Sequence, residues 1–134
     1  MTGTQPDPAP PHVKVIHGRD FVRAQPAGDL HIEDSLRLLL DIAAAAAKLK
    51  EHDVVLDMRH VDSHLSAADL WTLAHKLTEY REVFTRKTAV LCPLERFDKA
   101  RFFAMSAENH GFNIRAFTDY ESAMEWILFE ESKQ

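Results

Sequence analysis

Two short, uninterrupted apolar runs constrain the fold of this chain more than any other feature. They are Val54-Val55-Leu56 and Thr88-Ala89-Val90-Leu91-Cys92. A run without polar alternation has no solvent-facing side, so each reads as a strand covered on both faces. Between them, Leu70, Leu73, Leu77, Tyr80 and Phe84 repeat at helical spacing, and Arg86-Lys87 is expected to close that helix. Strand, helix, strand in this order implies a right-handed crossover between parallel neighbours. Residues leaving the two strands then converge at one end of the sheet, where open α/β folds bind ligands.

The flanking segments fit the same plan. Val13-Lys14-Val15-Ile16 and Phe21-Val22-Arg23-Ala24 are short β-type runs separated by His17-Gly18-Arg19-Asp20, so they read as an antiparallel hairpin ended by Pro26-Ala27-Gly28-Asp29. A helix is expected over 32–50, with Leu36, Leu39, Leu40, Ala43, Ala46 and Ala47 on its inner face. Alanines 43–47 make that helix thin enough to lie close to a sheet. A third helix over 96–109 carries Ala100, Phe103, Ala104 and Ala107, and Gly111 stands where a left-handed terminator belongs. Asn113-Ile114-Arg115-Ala116-Phe117 alternates, as an edge-side strand does. Thr118-x-x-Glu121 has the form of a capping box opening a last helix with Ala123, Met124, Ile127 and Leu128. The expected architecture is α/β: a mixed, mostly parallel sheet of about five strands with four helices, in the order β-β-α-β-α-β-α-β-α.

The chain has 134 residues, which fits one domain, expected over 12–131. Residues 1–11 hold four of the six prolines and read as an extended, disordered leader without the pattern of a signal peptide. The longest greasy stretch, 38–47, contains Asp41 and falls short of the roughly 20 apolar residues that cross a bilayer. A cytoplasmic protein is the expectation. The net charge of −5 argues against a nucleic-acid partner, which needs cations to neutralise phosphates. The single cysteine, Cys92, excludes an internal disulfide and a multi-thiolate metal site.

The polar stretch from Asp57 to Ser66 leaves the central strand and is the default ligand-facing loop. Asp57, Arg59, His60, Ser63 and Ser66 are its candidate binding or interaction residues, together with Trp71 on the following helix and Cys92 at the end of the next strand. Asp57 also suits a plain role, accepting from its own loop amides while Arg59 pairs with an acid. His60, Asp62 and His64 have no helix to fix their spacing, so no metal centre is expected there. Ser66, followed by Ala67-Ala68-Asp69, suits an N-cap. Cys92 ends its strand at the same rim as Asp57 and suits a small buried hydrophobe better than a nucleophile. Trp71 and Trp126 each sit one position off their helix stripes, as partner-facing aromatics do. Trp71, Phe102-Phe103 and the thin alanine helix together suggest an apolar pocket between helices and sheet. The sequence holds no nucleophile elbow, zincin, P-loop or dinucleotide glycine pattern, and no cofactor is expected.

Four segments resemble the bacterial SpoIIAA-like family, which shares the STAS domain fold with anti-sigma-factor antagonists and is distantly similar to Sec14-type lipid-binding domains. They are Gly28-Asp29-Leu30-His31-Ile32-Glu33-Asp34, Val54-Val55-Leu56-Asp57-Met58-Arg59, Leu65-Ser66-Ala67-Ala68-Asp69-Leu70, and the stretch from Arg115 to Ile127. Fold alone does not give function. The resemblance implies a regulatory or ligand-binding role with no shared catalytic residue. The antagonists carry a phosphorylated serine in an Asp-Ser-Ser-Gly stretch, and its position falls on Ser66. Leu65, Ala67 and Ala68 replace the neighbouring Asp, Ser and Gly, which argues against a phosphoswitch at Ser66. The expected function is a non-catalytic regulatory or protein-interaction module, with a homodimer as one form. The alternative is a carrier or sensor of a lipid or other apolar small molecule, and an uncharacterised enzyme stands third.

Overall fold

The computed structural model describes residues 13–16, 21–47, 49 and 52–129. The leader and the turn at 17–20 lie outside the described residues. The elements are β1 (Val13–Ile16), β2 (Phe21–Ala24), β3 (Gly28–Leu30), α1 (Ile32–Ala46), β4 (Asp53–Asp57), β5 (Val61–Ser63), α2 (Ala67–Lys76), β6 (Lys87–Leu91), α3 (Phe97–Glu108), β7 (Asn113–Phe117) and α4 (Tyr120–Leu128). Short 3-10 turns, Leu77–Tyr80 and Leu94–Arg96, follow α2 and precede α3.

One sheet runs in the order β1-β2-β4-β6-β7. β1 is antiparallel to β2, and every other neighbour is parallel. The two apolar runs therefore lie side by side, Val55 against Ala89 and Leu56 against Val90. β7 forms the edge, as its alternation implies. Strand alternation then divides the core in two. Val22, Val54, Val90 and Ile114 point toward α1, α2 and α3, while Phe21, Val55, Ala89 and Leu91 point toward Ala123 and Ile127 of α4. The sheet is covered by three helices on one face and one on the other.

Four details differ from the sequence reading. β3 and β5 are additional strands of three residues each, paired parallel in a separate two-stranded sheet. In α1 the buried face is Ser35, Leu38, Leu39, Ile42 and Ala46, and Leu40 is 57% exposed. The runs Leu38-Leu39-Leu40 and Ala43–Ala47 place apolar residues on every side, so composition leaves the phase open. α2 stops at Lys76 instead of running to Arg86. There the Thr78 hydroxyl donates to the His75 carbonyl at 2.7 Å, competing with the helical ladder. α4 is capped by Asp119, not Thr118: Asp119 accepts from the Ser122 amide at 2.8 Å and the Ser122 hydroxyl at 2.9 Å. Gly111 adopts the left-handed conformation expected of it, at φ +92°. Among the described residues no helix is long and apolar enough to cross a membrane.

Candidate functional site

The carboxyl ends of β4 and β6 carry Asp57 and Cys92, on two sides of the sheet. Asp57 is in register with Leu91, on the α4 side. Its side chain is 1% exposed. Asp57 Oδ1 accepts from Arg59 Nε at 2.8 Å and from the Arg59 amide at 3.2 Å. Oδ2 accepts from Arg59 Nη2 at 2.8 Å and Gln25 Nε2 at 3.2 Å. Burial acts to raise this carboxyl's pKa, but the Arg59 hydrogen bonds and charge outweigh it and hold the group below its ordinary value. With its acceptors filled, Asp57 anchors the loop start and orients Arg59. Arg59 is exposed.

Cys92 follows β6 and faces the other way, toward α1–α3. It shares the rim with Asp57 but not the face, because one residue's shift along a strand reverses the side chain. Its amide donates to the Phe117 carbonyl at 3.0 Å, and its thiol lies 3.6 Å from the same oxygen. Burial pushes the thiol pKa up; the nearby Arg96 charge opposes this and Glu95 adds to it, with burial dominant. A protonated, buried thiol is a poor nucleophile.

Ser66 caps α2. Its hydroxyl accepts from the Asp69 amide at 3.1 Å while the Asp69 carboxylate accepts from the Ser66 amide at 2.9 Å. This reciprocal box satisfies two otherwise orphaned donors. His60 sits exposed in the turn between β4 and β5, and its carbonyl accepts from the Gly28 amide at 3.3 Å. Ser63 lies in β5, where its hydroxyl accepts from the Leu65 amide at 3.4 Å. The carboxylates and imidazole that do converge are Asp29, Asp62 and His64, all exposed, with His60 outside the group. Asp29 enters because β3 pairs in register with β5, a contact that loop spacing does not reveal.

The two off-stripe tryptophans part company. Trp71 is 54% exposed on the outer side of α2. Trp126 packs on the smaller core, 5.6 Å from the Phe117 ring, with Lys87 and Arg115 over its face.

A cavity of about 120 Å³ opens between the sheet and α1, α2 and α3. Leu38 and Leu39 of α1, Leu70 and Leu73 of α2, Phe103 of α3, and Leu56 and Val90 of the sheet form its apolar walls. Ser63 and Cys92 also line it, whereas Trp71 and Phe102 do not. Its charged lining is Arg96 and Lys99. Arg96 Nη2 donates to the Met58 carbonyl at 3.2 Å, and Lys99 Nζ to the Leu65 carbonyl at 3.3 Å. Lys99 is exposed, which marks this end as open to water. A second signal for the cavity was present in the sequence, in the spacing of Arg96, at the end of the 3-10 turn, with Lys99 and Phe103 of α3.

No family model matches the chain, and no curated protein matches it in sequence. Among solved structures it is similar to the crystal structure of an uncharacterised protein of the DUF3478 family with a SpoIIAA-like fold, from Shewanella loihica PV-4. The superposition has a TM-score of 0.56 at 18% identity, covering 86% of this chain and 91% of that one. The chain has a SpoIIAA-like fold, the architecture its four resembling segments imply.

Proposed function

We propose that this chain is a non-catalytic carrier or sensor that holds a small apolar molecule, or the apolar end of a larger one, between its sheet and α1–α3. The observation that carries the reading is the cavity: leucine, valine and phenylalanine walls with two cations at its open end. Few polar anchors in an apolar pocket is the usual form of a small-molecule site. Its volume is comparable to the dry cavity of about 150 Å³ that accepts benzene. The ligand that fits is therefore a ring-sized or short-chain apolar group carrying an anionic head, which Arg96 and Lys99 would meet. The groups best suited to catalysis at this rim are already engaged, Asp57 by Arg59 and Cys92 by burial.

A second reading is a protein-interaction module working through α2. Its support is Trp71, exposed on α2, with Phe102 and Met105 exposed on the adjoining α3. The two readings combine if a ligand in the cavity alters how these helices present themselves.

Native mass spectrometry of gently purified protein separates them. The carrier reading expects a stoichiometric bound mass, reduced in a Lys99→Glu variant of unchanged melting temperature. A clean unbound spectrum, with partner capture abolished by Trp71→Ala, overturns the carrier reading in favour of the second.

A further inference from the structure

Away from the cavity, the outer side of α2 and the turn after α3 bring two histidines together. His75 Nδ1 lies 3.4 Å from His110 Nε2, and the rings meet edge to face at 71°. His110 Nδ1 lies 2.8 Å from the Ser106 carbonyl oxygen. A carbonyl only accepts, so Nδ1 carries the proton and Nε2 turns its lone pair toward His75. Trp71 stacks on the His75 ring at 5.6 Å and 2° from parallel, which restrains the second ring.

We propose that His75 and His110 form a binding site for a divalent transition-metal ion of the zinc, nickel and copper group. Imidazole nitrogens suit these ions. Two metal–nitrogen bonds of about 2.0–2.1 Å at a tetrahedral angle set the nitrogens about 3.4 Å apart. That is the separation found between His75 and His110. The Ser106 carbonyl supplies the outer partner that ligating histidines generally have, fixing tautomer and ring orientation together. Two protein ligands leave the remaining positions to water, so the ion is exchangeable. His75 is exposed and His110 half-buried, so an ion has a path in. The site is independent of the cavity and of any ligand there.

Asp29, Asp62 and His64 offer a competing place for an ion, and the test is built to tell the two apart. The metal-free full chain is titrated with Zn²⁺, reading tryptophan emission and the ¹⁵N shifts of the histidine rings. The expected result is saturable binding of one ion, with the largest ring shifts at His75 Nδ1 and His110 Nε2. His75→Gln and His110→Gln each weaken it at least tenfold, while Asp62→Asn leaves it unchanged. The emission change is lost in Trp71→Phe. Should either glutamine variant fold poorly, the ring shifts of the natural chain decide alone. Ring shifts centred on His64, equal binding by both glutamine variants, or no response to millimolar Zn²⁺ would each overturn the proposal.

Discussion

Asp57 and Arg59 form a pair with one end in the core and the other partly in water: the Asp57 side chain is 1% exposed and the Arg59 side chain 35%. That asymmetry sets the magnitude. A fully buried pair broken on one side costs several kcal/mol, but Arg59 keeps access to solvent. Asp57→Asn is expected to destabilise the fold by about 1.5–3 kcal/mol at neutral pH, the range for hydrogen bonds to a charged group, measured by urea unfolding. The Asp57 carboxyl is held below its ordinary value, so its contribution is complete above the unfolded-state pKa and is lost as pH falls through the folded-state value. The stability gap between Asp57→Asn and the natural chain therefore narrows below about pH 4. Cys92 makes the opposite statement. Its burial and raised pKa predict slower alkylation by iodoacetamide at pH 8 than for a free thiol, with unfolding by urea restoring the ordinary rate. A fast-reacting Cys92 in the folded chain would contradict the burial argument.

At the scale of elements, what the sequence makes legible is what local chemistry enforces. Continuous apolar runs gave β4 and β6 because nothing else buries both sides of so short a segment. The Ser66 cap was legible because hydroxyl, spacing and acid all lie within four residues. Ser66→Ala is expected to cost about 1 kcal/mol in a thermal melt, the usual value of such a cap. Gly111→Ala should cost about as much, since a left-handed φ of +92° strains any residue with a Cβ. The features that escaped depend on partners far along the chain. β3 and β5 are short and polar, and they become strands only through pairing across 33 positions, Gly28 with Val61. The phase of α1 escaped because its leucines and alanines satisfy two faces equally, and only the packed sheet chooses Leu38 and Ile42. Trp71 and Trp126 occupy equivalent off-stripe positions, yet one is exposed and the other covers a core. The difference lies in Phe117, Lys87 and Arg115, which reach Trp126 from other elements. Lys87 also donates to the Trp126 and Phe129 carbonyls at 2.7 and 2.6 Å, closing the end of α4.

Over the whole molecule, the sheet separates two unequal interiors. The α4 side is closed by a small cluster around Val55, Ala89, Leu91 and Ile127, where Asp57 ends the strand in a satisfied ion pair. The α1–α3 side is larger and holds the cavity, with Arg96 and Lys99 at its open end. The asymmetry follows from strand alternation, which sends Leu56, Val90 and Cys92 to one side and Val55, Asp57 and Leu91 to the other. That residues leaving β4 and β6 converge at one end of the sheet was legible from topology; that the cavity lies on one side was not, because that depends on which helices cover which face. The most direct test of this account is a methyl-resolved NMR titration with hexanoate, a short chain with an anionic head. The account predicts saturable shifts at Leu38, Leu73, Val90 and Met58, weakened by Lys99→Glu, with Val55, Ala123 and Ile127 unmoved. Shifts confined to the α4 side, or none at any concentration short of denaturation, would contradict it.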